Sequence, residues 1–325
     1  MKISVVLCTY NGEKYIKEQL DSILSQTYPV DEILVLDDGS TDGTMDIVRK
    51  MLENSSIKSE IIQNSVNLGA AGNFMKGVKL AQGDWILTSD QDDVWFEHKV
   101  EDFVKLFETQ RECVLAFSDA VVTDQNLAVK QESLWNSSGF TTQKRQFMES
   151  GQYYKVLFSD NIVTGAAMAV KREFALVCPP MPEGTLHDYW FALCAPQYGK
   201  ISMLNKSELY YRQHSANVIG APEKSLIKKV QRWIRTITMI QEDREKRYKR
   251  ADGLRTFLLQ SEQENIVVMK EVNEWREFCE WRCSLTNKNV GAGIIEILRC
   301  YRQGKYRRFV DKKGIVVQDM LSLLV

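Results

Sequence analysis

The sequence has almost no net charge, because 42 lysines and arginines are balanced by 43 aspartates and glutamates in 325 residues. A chain this balanced does not bind nucleic acid through its overall charge. It also lacks long hydrophobic runs, and the longest, such as 294–298, fall far short of a membrane span. Its N-terminus begins with a predicted strand and shows no signal-peptide pattern. We therefore expect a cytoplasmic protein with no membrane-spanning segment and no nucleic-acid partner.

Paired cysteines are missing as well, since the seven cysteines are odd in number and scattered along the chain. Cys8 and Cys194 lie in apolar runs, as buried thiols in a reducing compartment do. Cys279 and Cys283 are four residues apart on a predicted helix, but no second pair completes a zinc-binding set. We also find no internal repeat and no low-complexity segment. The cysteines therefore predict free thiols and no zinc site.

The first part of the chain alternates strand patterns with helix patterns. Apolar runs that suit strands buried on both faces alternate with segments of helical spacing. The predicted strands are 3–8, 32–36, 60–63 and 85–87, and the predicted helices are 13–24, 42–52 and 70–81. This order predicts an α/β fold with an open, mostly parallel sheet covered by helices. Right-handed crossovers then place the loops after the strands on one edge, where such sheets bind ligands.

The sharpest chemical signal is the acidic sequence Asp90-Gln91-Asp92-Asp93, directly after a predicted buried strand. Three carboxylates in four residues repel one another unless a cation or solvent separates them. Their hard oxygen atoms suit Mg²⁺ or Mn²⁺, and such an ion can bridge the phosphates of a nucleoside diphosphate. The alternative is a solvated acidic turn in which Asp93 caps the helix that begins near His98.

A second acidic turn, Asp37-Asp38-Gly39-Ser40, also follows a strand and precedes a helix. Carboxylates in this place accept hydrogen bonds from a base or a ribose hydroxyl, as acidic residues do in dinucleotide-binding folds. By itself the turn is equally an ordinary strand-to-helix connection. Together with Thr9-Tyr10-Asn11 and the acidic sequence 90–93, it brings three polar loops to one edge of the predicted sheet.

Several segments of the first ~100 residues together resemble glycosyltransferase family 2, which has the GT-A fold. In order, they are Val5–Gly12, Val35–Thr44, Asn67–Gly69, Gly83–Trp85 and Asp90–Trp95. The resemblance implies an inverting, metal-dependent transfer of a sugar from a nucleoside-diphosphate sugar. It implies a donor pocket formed by Thr9, Tyr10, Asn11, Asp37, Asp38, Asn67, Asp90, Gln91 and Asp92. It also implies that Asp92 and Asp93 face the ribose and the Mg²⁺ or Mn²⁺ ion.

Three segments of the second half resemble the bacterial rhamnosyltransferase-like branch of this family. They are Asn161–Met168, His187–Trp190 and Tyr211–Gly220. This branch implies a role in cell-surface polysaccharides such as O-antigen or capsule, with a glycan or lipid-linked saccharide as acceptor. It favours dTDP-rhamnose as the donor, and a UDP-sugar is the alternative because small changes in a sugar pocket switch the donor.

Inversion needs a base that takes the proton from the acceptor hydroxyl, and the resemblance places Asp188 at that position. The alternative for Asp188 is a helix N-cap. His214 is the candidate third metal ligand, with a contact to the diphosphate or an ordinary polar contact as alternatives. His187 either orients the base or packs as a ring, and Arg212 either offsets phosphate charge or is structural. Three aromatic residues either stack on a sugar or base or belong to the core: Trp95, Tyr189 and Trp190.

The rest of the chain predicts a second, helical region. Residues 161–170 have the pattern of an apolar strand and 187–195 that of a helix, and the composition changes near Ile219–Pro222. We expect a GT-A domain at 1–220, with a nucleotide-binding part at 1–110 and an acceptor-binding part at 111–220. A helical region rich in basic residues follows at 221–325. Two clusters of its basic residues stand out: Lys224, Lys228, Lys229, Arg232, Arg235, Arg244, Lys246, Arg247, Lys249 and Arg250, and then Arg299, Arg302, Lys305, Arg307 and Arg308.

This basic region leaves three interpretations open: peripheral contact with the cytoplasmic face of the inner membrane, a solvated appendage, or an oligomer contact. Two other functions compete with glycosyl transfer. A nucleotidyltransferase that makes sugar nucleotides should carry a glycine-rich basic phosphate loop near the N-terminus, and Cys8–Gly12 has no such loop. A non-catalytic nucleotide-sugar-binding member of a polysaccharide assembly complex should lack the acidic sequence or the base, and both are present. The sequence therefore predicts a glycosyltransferase.

Overall fold

The computed structural model of the chain describes residues 1–214, 227–261, 266–310 and 314–324, without the side chains of 227–239 and 324. Up to Arg212 the elements are β1 (Ile3–Thr9), α1 (Ile16–Leu24), β2 (Glu32–Asp37), α2 (Thr44–Glu53), β3 (Lys58–Gln63), α3 (Gly69–Leu80), β4 (Trp85–Ser89), β5 (Val94–Trp95), α4 (Lys99–Thr109), β6 (Cys113–Thr123), β7 (Val129–Gln131), α5 (Leu134–Ser137), α6 (Thr142–Glu149), α7 (Tyr154–Leu157), β8 (Met168–Lys171), α8 (Arg172–Val177), α9 (His187–Cys194) and β9 (Lys200–Arg212). The later helices are α10 (Ile227–Gln260), α11 (Ile266–Cys283), α12 (Val290–Arg302), α13 (Lys305–Phe309) and α14 (Ile315–Leu321).

Within the described residues, the strands form one sheet in the order β3-β2-β1-β4-β8-β6-β9-β5, and β7 pairs with β6. The first four strands are parallel, so Val5 of β1 lies beside Ile33 of β2 and Leu87 of β4. The other half is mixed. There, β8 runs antiparallel to β4 and β6, while β9 is parallel to β6 and antiparallel to β5. The parallel half puts the carboxyl ends of β1, β2 and β4 on one edge, as the sequence predicts.

Helices cover both faces of the parallel half because successive side chains of a strand point to opposite faces. On one face, Val5 and Leu7 of β1 belong to a core that contains Ile16 and Leu20 of α1. On the other face, α3 lies so close that a Cβ atom at Gly77 would be 2.4 Å from Val6. A strand buried on both faces needs apolar residues at every position, which is why β1 has no alternating pattern.

The predicted strand at 161–170 is wrong in its first part. Residues Gly165–Ala167 form a 3-10 turn, and strand β8 begins only at Met168. The reason is that the Gly165 N–H donates to a carboxylate oxygen of Asp188 at 3.0 Å, while the Gly165 carbonyl accepts from the Thr88 hydroxyl. These side chains take the backbone groups that a strand would offer to its neighbour.

The described chain contains two compact units. The first comprises Met1–Tyr153, Asn161–Cys178 and Leu186–Gly220, and the second comprises Tyr154–Asp160, Pro179–Thr185 and Ala221–Val325. The predicted boundary at Ile219–Pro222 lies outside the described residues, as do the side chains of the basic residues between Lys224 and Arg235. Among the helices that the structure describes, none combines the length and apolar character needed to cross a bilayer.

Three arginines of α10 that were predicted to form a basic surface are buried in the second unit: Arg244, Arg247 and Arg250. The Arg244 guanidinium donates to Asp319 at 2.8 Å, and Arg282 donates to the same carboxylate at 2.8 Å. A buried carboxylate between two guanidinium groups needs such bonds, because an unpaired buried charge is costly. The basic surface of the second unit is therefore smaller than the sequence predicts.

Candidate functional site

The three polar loops after β1, β2 and β4 meet at one edge of the sheet. The Tyr10 N–H donates to the side-chain oxygen of Gln91 at 2.9 Å, and the Gln91 amide donates back to the Tyr10 carbonyl at 3.0 Å. Asn11 accepts a hydrogen bond from the Thr41 N–H at 2.8 Å. The predicted convergence of these loops is thus found in the structure.

Gln91 holds loops together and does not project as a free amide. Its two bonds to Tyr10 use both its oxygen and its nitrogen. The approach requires a glycine at position 12, because a Cβ atom there would lie 2.1 Å from the Gln91 oxygen. Tyr10 itself leaves about half of its surface exposed, at 51%. Of these two predicted donor contacts, the ring of Tyr10 is the one that is open to a ligand.

Thr9 and Asp37 are the last residues of β1 and β2, and their side chains fix the conformation of the loops that follow. Both are buried, and the Thr9 hydroxyl donates to the Asp37 carboxylate at 3.0 Å. The same carboxylate accepts the Ser40 N–H at 3.0 Å, which closes the turn after β2. Such bonds fix the backbone of the turn, so these two residues support the predicted donor pocket and do not themselves project into it.

Asp38 holds the start of helix α3. Its carboxylate accepts the N–H groups of Leu68 and Gly69, each at 2.8 Å. N–H groups at a helix N-terminus have no partner within the helix, and a negative charge is favourable there. The Asn67 amide donates to the Asp38 carbonyl at 3.1 Å and so ties the same loop. Asp38 and Asn67 therefore lie together beside the Asp37 turn, as the sequence predicts.

The acidic loop after β4 concentrates negative charge in an enclosed place. Burial, with the charges of Asp92 and Asp188, raises the pKa of Asp90 to about 7. Burial also raises the pKa of Asp93 well above its usual range, and repulsion from Asp92 and Asp90 adds to it. One Asp93 oxygen accepts the Arg212 N–H at 3.0 Å, and the other has no hydrogen-bond partner among the described residues. Asp93 is no helix cap, since α4 has His98 at its N-cap.

Asp92 and His214 are in direct contact, with the His214 Nε2 atom 2.7 Å from an Asp92 oxygen. Arg212 braces the loop, because its Nε atom donates to the Asp92 carbonyl at 2.7 Å. His214 also stacks on Tyr15, with ring centroids 4.8 Å apart. In the described part of the chain, no group of three or more histidine, cysteine or acidic side chains is arranged to hold a metal ion. Two of the three predicted ligands thus meet, while Asp93 lies buried.

Asp188 is oriented by N–H groups on two sides. The Asn161 amide donates to one of its oxygens at 3.0 Å, and the Gly165 N–H donates to the other at 3.0 Å. Helix α9 has Leu186 at its N-cap, so the alternative that Asp188 is that cap is wrong. Asp188 lies close enough to Asp90 for its charge to affect the Asp90 pKa. This places a fixed carboxylate beside the acidic loop.

The remaining predicted residues are packed inside the first unit. His187 stacks on Phe74, with ring centroids 4.2 Å apart, and burial lowers its pKa. Trp95, Tyr189 and Trp190 are buried, which favours their role in the core over stacking on a ligand. Arg212 bonds to the Glu18 carboxylate and lies over the Tyr15 ring, which favours its structural role.

Two residues near the acidic loop were not among the predicted site residues. Tyr211 lies on β9, and burial together with Asp90, Asp93, Asp92 and Asp188 raises its pKa. Lys99 is fully buried at the start of α4, where a lysine is ordinarily a surface residue. The motif that contains Tyr211 pointed to its segment, but no pattern pointed to Lys99.

Comparisons with known proteins show the family of this chain. The family described as Glycosyl transferase family 2 matches residues 4–171. A curated relative, dTDP-rhamnosyl transferase RfbG of Shigella flexneri, is 29% identical over 66% of this chain and 74% of its own length. Two further glycosyltransferase relatives are matched over 66% and 45% of their own lengths, so the chain spans only part of them.

Solved structures show the fold. TarS of Staphylococcus aureus in complex with UDP-GlcNAc has a TM-score of 0.59 at 18% identity, over 99% of this chain and 89% of that one. The mannosyltransferase PcManGT of Pyrobaculum calidifontis, in complex with GDP-Man and Mn²⁺, has a TM-score of 0.53 at 16% identity, over 99% and 87%. The predicted GT-A class, a Rossmann-like sheet with flanking helices, is confirmed by these likenesses.

Proposed function

Because the chain belongs to glycosyl transferase family 2, we propose that it moves one sugar from a nucleoside-diphosphate sugar to a hydroxyl group, with inversion at the anomeric carbon. The observation that carries this proposal is the fixed Asp188 carboxylate beside the acidic loop. In the proposed reaction, Asp188 takes the proton of the acceptor hydroxyl as its oxygen attacks the anomeric carbon. The bond between that carbon and the diphosphate breaks on the opposite side.

We propose dTDP-rhamnose as the donor, with a UDP-sugar as the second candidate. The rhamnosyltransferase relative, matched over 66% of this chain, supports the first. The second is suggested by TarS, which has a similar fold and whose solved structure contains UDP-GlcNAc. The proposed acceptor is a glycan or a lipid-linked saccharide of a cell-surface polysaccharide, such as O-antigen or capsule. The proposed place of reaction is the cytoplasm.

We propose that a divalent Mg²⁺ or Mn²⁺ ion binds at the acidic loop, where two ligand atoms already meet and a third could join them. Asp92 and His214 offer an oxygen and a nitrogen that already lie 2.7 Å apart, and Asp93 has an unpartnered oxygen among the described residues. The raised pKa values of Asp90 and Asp93 reflect burial and crowded negative charge, which a cation would offset. When bound, the ion would neutralise the charge of the departing diphosphate. We propose Asp92 and His214 as its direct ligands and Asp93 as a supporting carboxylate.

The exposed loop residues Tyr10 and Asn11 are proposed to contact the base and ribose of the donor. The buried Thr9, Asp37 and Asp38, together with the half-buried Gln91 and the exposed Asn67, are proposed to hold that pocket in shape through the bonds described above. The division of the first unit into a donor part at 1–110 and an acceptor part at 111–220 stays a prediction.

A donor-hydrolysis screen tests the proposed function. We expect purified protein to release nucleoside diphosphate from one of dTDP-rhamnose, UDP-glucose, UDP-galactose, UDP-N-acetylglucosamine or GDP-mannose, with Mn²⁺ and not with a chelator. Released diphosphate is the measured quantity. If no donor released nucleoside diphosphate, and if UDP or dTDP plus Mn²⁺ did not stabilise the protein against heat, the non-catalytic alternative would be favoured.

We also propose that helix α12 contacts the anionic cytoplasmic leaflet of the membrane, where a lipid-linked acceptor lies. Ile295, Leu298, Arg299 and Arg302 share one face of the helix, because they are spaced by three or four residues. Ile295 is 61% exposed, and the two arginines are exposed and form no ion pair with the described residues. Apolar side chains flanked by arginines are typical of helices that lie in a bilayer surface.

Sedimentation with lipid vesicles tests this contact. We expect the double variant Arg299→Glu/Arg302→Glu to bind phosphatidylglycerol vesicles at least about 10-fold more weakly, since each basic residue near such a surface contributes about 1 kcal/mol. Lys50→Glu, an exposed lysine on α2, is the matched control and should bind like the wild type. Equal binding to neutral phosphatidylcholine vesicles, or no loss in the double variant, would contradict the proposal and leave the solvated or oligomeric alternatives.

A further inference from the structure

A buried lysine lies beneath the acidic loop. Lys99, the first residue of α4, is fully buried, and its ammonium lies 3.8 Å from the centroid of the Trp95 ring. Its ammonium donates to the Ala166 carbonyl at 2.8 Å. Burying an ammonium is costly unless other groups compensate it. The bond to the Ala166 carbonyl is therefore the contact that compensates the buried side chain of Lys99.

The Ala166 carbonyl belongs to the 3-10 turn that orients Asp188. One residue earlier in this turn, the Gly165 N–H donates to Asp188 at 3.0 Å. The Gly165 carbonyl in turn accepts from the Thr88 hydroxyl of β4. A continuous path of hydrogen bonds and peptide units therefore runs from Lys99 through the turn to the Asp188 carboxylate.

The charges of three acids also act on Lys99. Burial lowers the pKa of Lys99 to about 7, and the charges of Asp93, Glu208 and Asp90 oppose this effect. The side chain thus lies near the acids of the loop, while its hydrogen bond goes to the Ala166 carbonyl of the turn that holds Asp188.

We propose that Lys99 is a positioning residue, whose side-chain nitrogen ties the Gly165–Ala167 turn to the start of α4 and so sets where the Asp188 carboxylate lies relative to the donor. This inference rests on the proposed function. Lys99 would touch neither donor nor acceptor. Its removal should therefore slow the transfer step and leave nucleotide binding nearly unchanged. A displacement of a reacting group by about 1 Å costs about 100-fold in rate.

A role in stability alone predicts a different result. Removing one member of a buried polar cluster destabilises the fold, because the groups that it faced are left without their partner. We therefore expect Lys99→Met to unfold at a lower urea concentration than the wild type, whatever the role of Lys99 in transfer. A purely structural lysine would show this loss of stability with the kcat of the folded protein unchanged.

The test compares Lys99→Met with the control variant Lys105→Met. Lys105 is an exposed lysine on the same helix and pairs with Glu101. For Lys99→Met we expect kcat about 10- to 100-fold lower, with the Kd for the nucleoside diphosphate and Mn²⁺ within about 3-fold of wild type, a difference worth less than about 1 kcal/mol. For Lys105→Met we expect wild-type values. Lys99→Gln, which keeps an amide donor for Ala166, should recover part of the lost kcat.

Several results would overturn the proposal. Unchanged kcat in a folded Lys99→Met variant would do so, as would a loss of nucleotide affinity equal to the loss of kcat. If Lys99→Met does not fold, Thr88→Val tests the same turn from β4, and its kcat should fall with nucleotide binding preserved. An inactive wild type would refute the proposed function together with this inference, whereas an active wild type matched by Lys99→Met would refute the role of Lys99 alone.

Discussion

Asp188→Asn is expected to lower the rate of sugar transfer by about 10²- to 10⁴-fold, because the variant has no carboxylate to take the acceptor proton. Asparagine has nearly the same shape, and its oxygen can still accept from Asn161 or Gly165. The fold and the donor pocket should therefore persist. The measurement is kcat with the donor that the hydrolysis screen identifies, together with the Kd for its nucleoside diphosphate.

Glu173→Gln is the matched control for this change, since Glu173 is an exposed carboxylate on α8 that pairs with Lys171. It should transfer sugar at the wild-type rate. If Asp188→Asn kept wild-type kcat, the base would have to be another group. If it lost nucleotide binding and kcat together, Asp188 would be part of the donor pocket and not the base.

Asp92→Ala is expected to abolish metal-dependent nucleotide binding and to lower transfer by about 100-fold or more. A divalent ion contributes several kcal/mol to stabilising a departing diphosphate, and each 1.36 kcal/mol is a factor of ten in rate. The Arg212 bond to this residue goes to the Asp92 backbone carbonyl, so it survives the change. Only the carboxylate that contacts His214 is lost.

A melting assay with dTDP or UDP, with and without Mn²⁺, measures this effect. The wild type should be stabilised by nucleotide plus Mn²⁺, and Asp92→Ala should not be. Asp21→Ala, which removes a half-exposed carboxylate of α1 that pairs with Lys17, is the control and should respond like the wild type. A full Mn²⁺-dependent shift in Asp92→Ala would exclude Asp92 as a ligand and direct attention to Asp90 and Asp93.

The arginines of α10 show where the sequence held a signal that was interpreted wrongly. Arg244 and Arg247 follow Ile240 and precede Leu254 and Leu258 at steps of three, four and seven residues. That spacing is the core stripe of an amphipathic helix, and all five side chains are buried. Counting charges predicted a basic surface, whereas the helical phase of the same residues indicates the interior. Buried partners such as Asp319, far along the chain, are what make this arrangement possible.

The sequence by itself determined the parallel half of the sheet and the place of the site. Mostly apolar segments such as Ile3–Thr9 form strands buried on both faces, and the parallel order brings the loops after β1, β2 and β4 to one edge. These are consequences of local pattern and of chain connectivity, which a sequence displays directly. The acidic loop was also visible as a local pattern, whereas Asp188 was predicted from the resemblance of its segment to a known family.

The tertiary structure alone decided which polar groups face a ligand and which hold the fold. Nothing local distinguishes Gln91, which clamps Tyr10, from Tyr10 itself, which is half exposed. Lys99 and Ala166 are 67 residues apart in the chain, and their contact depends on α4 and the 3-10 turn packing together. The bond between Gly165 and Asp188 likewise joins distant parts of the chain, and it accompanies a 3-10 turn where the sequence predicts a strand. Hydrogen bonds between distant side chains and backbone groups carry no periodicity, so only the folded chain reveals them.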